Sequence, residues 1–248
     1  MEENKNKLIK INEAAKILDL SVQTLRRWDQ SGQLKAVRLN PRGYRYYKLS
    51  DIQLLSSDIF SLAEEWLSLP VGIEPENQFF CLDSPVFQTR LNGLEKMMQK
   101  IPELEQDFSL ISSVVGEIGN NSFDHNLGSW PDVRGIFFAF DLNKHQIVLA
   151  DRGQGILTTL RRVRPTLVSN GEALLTAFTE KLSGRAPENR GNGLKYVKKV
   201  VVDIKKNIPL KLYFQSGDAF IVLDEKTTNL KIEQTTIQFR GCLALINF

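Results

Sequence analysis

Glu117-Ile-Gly-Asn-Asn-Ser-Phe-Asp-His125 closes a segment, Phe108 to Asn126, in which Leu110, Ile111, Val114, Val115 and Ile118 recur at helical spacing. Such a stripe predicts an amphipathic helix with one buried face. The other face carries Glu117, Asn121 and Asp124 at i, i+4 and i+7, so carboxylate and carboxamide project side by side. A glutamate placed there can orient or deprotonate an attacking nucleophile, and an asparagine oxygen is a hard ligand suited to Mg²⁺ bound beside phosphates. Taken alone, Glu-x-x-x-Asn is usually a solvated helix face, so its context decides.

Downstream, two apolar runs, Gly135 to Phe140 and Gln146 to Ala150, predict strands, and the second leads into Asp151-Arg-Gly-Gln-Gly155. Glycines at 153 and 155 let backbone approach a flat ligand, while a carboxylate just after a strand can accept from an exocyclic amine. Farther on, Arg190-Gly-Asn-Gly-Leu-Lys195 runs into an apolar segment, Tyr196 to Val202, and reads as a glycine turn opening a helix. Free amides at such a start can cradle phosphate. Strands are predicted at Leu210 to Gln215, Ala219 to Leu223 and Thr235 to Phe248. Glu117 and Asp151 are 34 residues apart, and Asp151 and Gly191 are 40 apart.

In this order the three boxes resemble the ATP-binding domain shared by gyrase, histidine kinases, MutL and anti-sigma-factor kinases, over residues 80–248. Glu117 to His125 is similar to the N box, Asp151 to Gly155 to the first glycine box, and Arg190 to Leu194 to the second. The resemblance implies an α/β fold whose C-terminal part is a two-layer α/β sandwich, the Bergerat ATP-binding fold. It implies ATP and Mg²⁺ as cofactors, with Asn121 on the metal and Glu117 as general base. Asp151 would read the adenine amine. Asp124, Gly153, Gly155, Arg190, Gly191, Asn192, Gly193, Leu194 and Lys195 would complete nucleotide binding, and Leu157 to Asn189 would form a mobile lid. This chain has Gly241-Cys242 where family members often have Gly-Thr, and it has no phosphoacceptor helix ahead of the domain. His125 within the N box and His145 in a turn read as structural residues, so histidine autokinase activity is not expected.

Upstream, Asp51 to Leu69 contains no helix breaker, and Ile52, Leu55, Ile59, Leu62, Trp66 and Leu69 alternate at spacings of 3 and 4. This a/d seam either zips two chains together or lies against the following domain. Pro70, Gly72 and Pro75 then stop the helix and place a boundary near residues 70–80.

The first fifty residues differ in charge from the rest. They hold 11 Lys+Arg against 5 Asp+Glu, while the remainder holds 21 against 24. A cationic head on a slightly acidic body suits a phosphate partner at one end. Asn12 is the predicted cap of a short helix ending at Leu18, and Ser21 that of a second helix, Val22 to Gln30, which Gly32 ends. Val22, Leu25 and Trp28 fall on one face of the second helix and Gln23, Thr24 and Arg27 on the other. Leu34 to Arg38, the turn Asn40-Pro-Arg-Gly43 and Tyr44 to Tyr47 read as a hairpin with arginine at its tip. This pattern resembles the winged helix-turn-helix of the MerR and excisionase type. The resemblance implies double-stranded DNA as partner, with Gln23, Thr24 and Arg27 in the major groove, Arg26 beside them among the DNA-binding residues, and Arg42, Tyr44 and Arg45 of the wing on backbone or minor groove. MerR metal-binding cysteines and a long terminal coiled coil are absent from this sequence.

At 248 residues, with about 150 per domain as a guide, one large or two small domains are expected. The reading divides the chain into a winged helix-turn-helix at 1–50, a helical connector and linker at 51–79 and the ATP-binding domain at 80–248. Hydrophobic residues at 42% and charged at 25% exclude fibrous and disordered classes. No run of about 18 apolar residues occurs, so no membrane partner is expected. Two cysteines and two histidines exclude a disulfide scaffold and a zinc site, which points to a reduced cytoplasmic setting.

The expected function is an ATP-binding, sequence-specific DNA-binding regulator, transcriptional in role, in which nucleotide state is coupled to DNA binding or to oligomeric state. A homodimer suits both the seam and the symmetry of helix-turn-helix regulators. The alternative is a serine protein kinase like the anti-sigma-factor kinases, acting on a separate partner protein, so Mg²⁺-dependent ATPase or kinase activity stays open. A DNA-processing factor akin to MutL or gyrase ranks last, because their transducer domain has no room in this length.

Overall fold

The computed structural model describes residues 7–18, 20–31, 34–38, 40, 43–49, 51–52, 58–182 and 192–248. The chain is mixed α/β and divides into two compact units, Met1–Ser61 and Leu62–Phe248.

The N-terminal unit begins with a strand the sequence did not announce. β1 (Leu8–Lys10) pairs antiparallel with β3 (Arg45–Lys48), which also pairs with β2 (Val37–Arg38), giving a three-stranded sheet in the order β1-β3-β2. α1 (Ile11–Ile17) starts directly from β1, so Lys10 rather than Asn12 is its cap and no side chain caps it. The strand pairing fixes the backbone at residue 10, and the helix begins where that pairing ends. α2 (Val22–Ser31) opens on Ser21, whose hydroxyl accepts from the Thr24 amide at 3.0 Å. Ile9, Ala14, Ala15, Leu25, Leu34, Tyr47 and Ile52 form the core of the unit. The buried Tyr47 hydroxyl donates to the Leu25 carbonyl at 3.1 Å.

The expected continuous helix over 51–69 is corrected. α3 spans Ile59–Ser68, and Asp58 ahead of it is outside any helix. Ile52 is buried in the N-terminal core. Ala63, Trp66 and Leu67 of α3 are buried, and the Trp66 ring lies 6.2 Å from that of Phe137. Two residues of the seam are therefore buried in different places, Ile52 in the N-terminal core and Trp66 against Phe137 of the C-terminal sheet.

That sheet has five antiparallel strands in the order β4-β5-β6-β8-β7, with β4 at Phe80–Cys81, β5 at Ile136–Asp141, β6 at Gln146–Asp151, β7 at Lys211–Leu223 and β8 at Ile232–Asn247. The two strands expected at 210–223 are one strand with a bulge at Ser216 and Gly217. α4 (Ser84–Met98) is capped by Asp83, which accepts from the Val86 amide at 2.9 Å. α5 spans Phe108–Asn126, the predicted bounds. α6 (Gly155–Arg161), α7 (Asn170–Thr179) and α8 (Gly193–Lys198) follow, α8 passing into a π-helical turn over Lys199–Asp203. Phe87, Ile111, Val115, Phe138, Leu149, Phe178, Phe214 and Ile246 share the main core between helices and sheet.

Side chains along β5 and β6 alternate between faces, as strand geometry requires. Phe138, Ile147 and Leu149 enter the main core. Phe137 faces Phe79 and Trp66 instead. The segment read as a lid, 157–189, is packed through residue 182, since α6 and α7 bury Leu160, Ala173, Leu174 and Phe178. Residues 183–189 lie outside the described residues. No described helix is long and apolar enough to cross a membrane.

Candidate functional site

Helix α5, the turn after β6 and the start of α8 enclose a cavity of about 640 Å³ in the C-terminal unit. Glu117, Asn121, Asp124, Asp151, Gly155, Asn192, Gly193 and Leu194 line it, so residues from three distant parts of the chain meet there. Gly153 and Lys195 do not line it. Arg190 and Gly191 lie outside the described residues.

Asp151 is 2% exposed. Its Oδ2 accepts from the Ser122 hydroxyl at 2.7 Å and its Oδ1 from the Gly153 amide at 2.9 Å. Burial pushes its carboxyl above the ordinary range, against the bonds from Ser122 and from the Gly153 and Cys242 amides. Gly153 thus acts on the site through Asp151. It passes so close to Asn126 that an added Cβ would be 2.1 Å from Nδ2, and Asn126 Oδ1 in turn accepts from the Gln154 amide at 2.8 Å. Gly241 stands on the backbone of Asp151 with φ +86°, and a Cβ there would lie 1.8 Å from the Asp151 carbonyl oxygen.

Also on the cavity lining, a Cβ on Gly193 would be 2.7 Å from Glu117 Oε2 and 2.9 Å from Asn121 Nδ2. The open cradle left by this glycine brings the chain start of α8 onto the polar face of α5. Ile156, Leu160, Leu182, Leu194 and Phe214 supply the apolar part of the lining. The arrangement suits a flat ring with a hydrogen-bond donor for Asp151, and an anionic group with a hard cation beside Glu117 and Asn121. Among the described residues no group of three or more His, Cys, Asp or Glu could hold a metal by itself. Cys242, opposite Asp151 in the β6 and β8 pairing, also lines the cavity. Burial first, and then the neighbouring Asp151, push its thiol well up, so it stays protonated.

Sequence reasoning missed Ser122, Asn126, Ser216 and Gly241. Ser216 accepts from the Ile156 amide at 3.0 Å and donates to the Gly241 carbonyl at 3.2 Å, which ties the bulge of β7 to the start of α6. Ser122 and Asn126 follow Asn121 on the helix and carried a readable polar pattern. Ser216 carried none, and Gly241 was marked only as the glycine ahead of Cys242, with no role of its own.

In the N-terminal unit, Gln23, Arg26 and Arg27 are exposed on α2, and Tyr44 ahead of β3 is 83% exposed. Thr24 is half-buried, and its hydroxyl lies 2.9 Å from that of Ser21. Arg42 lies outside the described residues. Arg45 is held inward. Its Nε donates to Asp29 Oδ2 at 2.7 Å, Arg38 Nη2 donates to the same oxygen at 2.6 Å, and the Ala36 amide donates to Oδ1 at 3.1 Å. Arg38 and Arg45 are directly paired across β2 and β3, where like charges repel, and Asp29 relieves this by bridging both to α2. Although burial raises it, the Asp29 carboxyl is held below the ordinary range by Arg45, the Ala36 amide and Arg38.

Residues 10–47 match the model of the MerR family regulatory protein. The chain is also similar to the type II methyltransferase M.Eco47II of Escherichia coli, 36% identical over 56 residues, which are 23% of this chain and 13% of that protein. The region 10–47 is a MerR-type helix-turn-helix, a DNA-binding domain of regulators.

Proposed function

We propose that this protein is a DNA-binding transcriptional regulator whose C-terminal unit binds ATP with Mg²⁺ in the cavity floored by Asp151, nucleotide state setting DNA affinity. One observation carries the nucleotide reading. Residues of three separated motifs line one cavity, among them the buried carboxylate of Asp151 together with Glu117 and Asn121. Asp151 would accept from the adenine amine, the apolar lining would take the ring, and Asn121 would hold Mg²⁺ against phosphates lying along Asn192 to Leu194. The cradle at Gly193 supports this placement. The bound metal would neutralise phosphate charge, and Glu117 would orient water for hydrolysis. Gln23, Arg26 and Arg27 would read the major groove while Tyr44 contacts the backbone. Ile52 and Trp66 of the seam are buried within their own units, so they would not join the surface through which a homodimer forms.

The test measures DNA binding by the full chain, on fragments around its own gene, without nucleotide, with ADP and with a non-hydrolysable ATP analogue, beside Asn121→Ala. Affinity is expected to shift with nucleotide in the parent by about 5- to 150-fold and not in the variant. Equal affinity in all conditions removes the coupling and brings forward phosphate transfer to a serine of a partner protein.

A further inference from the structure

We propose that Arg152 is the positioning residue that carries occupancy of the Asp151 cavity to helix α3. The inference rests on the nucleotide reading above. It identifies how an event in the cavity leaves it.

Asp151 ends β6 and Arg152 follows it, and their side chains meet separate sets of partners, Ser122 and the Gly153 amide for one, α3 and Asp132 for the other. Asp151 lines the cavity. Arg152 is 4% exposed and holds the end of α3. Its Nη1 donates to the Trp66 and Leu67 carbonyls at 2.8 and 2.9 Å, and its Nη2 donates to the Leu69 carbonyl at 2.9 Å. Trp66 and Leu67 belong to the last turn of α3, whose carbonyls have no amide four residues on within the helix, and the Trp66 carbonyl also accepts from the Leu69 amide at 3.4 Å. Nε and Nη2 also donate to Asp132 Oδ2 at 3.0 and 2.8 Å, and the guanidinium lies 6.0 Å from the centre of the Trp66 ring. Trp66 is fixed in turn, its Nε1 donating to the Ile73 carbonyl at 2.7 Å.

Two connections to the cavity converge on this cluster. The turn 151–154 is gripped on the cavity side by Ser122 and Asn126 of α5. The loop that carries Asp132 leaves from the end of the same helix, at Leu127. A ligand that pulls on Asp151 or resettles the end of α5 therefore moves Arg152, Asp132 or both. A buried guanidinium that loses one partner leaves an uncompensated charge, so the cluster changes in discrete steps. α3 leads back along the chain to the helix-turn-helix unit.

The experiment is hydrogen exchange of the full chain, read by mass spectrometry, with and without ADP and Mg²⁺ and with a non-hydrolysable ATP analogue. Amides in 117–126 and 151–156 are expected to gain protection, and those in 62–75 to change by about fivefold or more in the same titration. In Arg152→Lys, which keeps charge but loses the fork, nucleotide affinity is expected to stay within about threefold while the response of 62–75 disappears. Protection at the cavity without any change at 62–75, or an undiminished response in Arg152→Lys, overturns the role of Arg152 and leaves the nucleotide reading standing. No nucleotide binding in the parent overturns both. Should Arg152→Lys fail to fold, Asp132→Asn, which removes the charge partner of Arg152 and leaves the cavity lining intact, is the second variant: a weakened response of 62–75 at unchanged nucleotide affinity is expected, and an undiminished one overturns the role of Arg152.

Discussion

The Ser122 hydroxyl donates to Asp151 Oδ2 at 2.7 Å, binding the last turns of α5 to the end of β6 across the cavity floor. Twenty-nine residues separate the pair in sequence. The bond gives a buried carboxylate one of the donors it needs to remain charged, and it fixes which way the carboxylate faces. Asn126 and the Gln154 amide make a parallel tie one turn along the helix.

Asp151→Asn is expected to stabilise the empty protein at neutral pH and to weaken nucleotide binding about tenfold or more. The folded state raises this carboxyl above its unfolded value. The parent is therefore free of the burial cost below the ordinary carboxylate pKa and loses stability as pH rises toward the raised value. Thermal melts of parent and variant from acid to neutral pH should diverge upward. A variant that melts lower at neutral pH contradicts this account.

Gly241→Ala is expected to cost about 3 kcal/mol or more and to unfold the C-terminal unit at moderate temperature. Its φ is +86° and the atom in the way is the Asp151 carbonyl oxygen, which no rotamer change can remove. Gly93→Ala, inside α4 with nothing within 4 Å, is the control and should be neutral or gain about 0.5–1 kcal/mol. Denaturant melts of both variants test the contrast.

Asp29→Ala should weaken the attachment of the wing to α2, costing the N-terminal unit about 1–2 kcal/mol after solvent screening. DNA affinity should fall although no DNA contact is removed. Because the folded state lowers this carboxyl, its contribution is present above the ordinary carboxylate pKa and is lost as pH falls through the lowered value. Melts of the helix-turn-helix unit across pH 2 to 7 would show the difference between parent and variant shrinking toward the acid end.

Arg27→Ala is expected to reduce DNA affinity about 5- to 150-fold and to lower the slope of log affinity against log salt by about 1 if its contact is a phosphate. If Arg27 reads a base edge instead, the loss should concentrate on the preferred sequence. Binding titrations at several salt concentrations on specific and unrelated duplexes separate the two.

Much of this protein was legible in its sequence, and the readable parts share a cause. Helix α5 was visible because its apolar stripe and polar face repeat at the helical period within one segment. The helix-turn-helix was visible because Ser21, Leu25 and the hairpin residues act through local capping and turn preferences. Strands β5 and β6 were continuous apolar runs, as doubly covered strands are. The content of the candidate cavity was likewise written in three short motifs.

Tertiary structure alone decided the rest. β1 forms only because β3 lies beside it, so three residues with little local preference become a strand and displace the cap of α1 from Asn12 to Lys10. β7 is one bulged strand because β8 pairs along both halves. Two residues of the connector seam are buried in different places, which its spacing could not reveal, since an a/d pattern states that a face is buried and not against what. Asp29, Arg152 and Gly241 gain their roles from groups 7 to 90 residues distant. Local preferences are properties of neighbouring residues and are readable in order. Satisfying a buried charge or relieving a close approach depends on what the folded chain brings alongside, and that is fixed only in three dimensions.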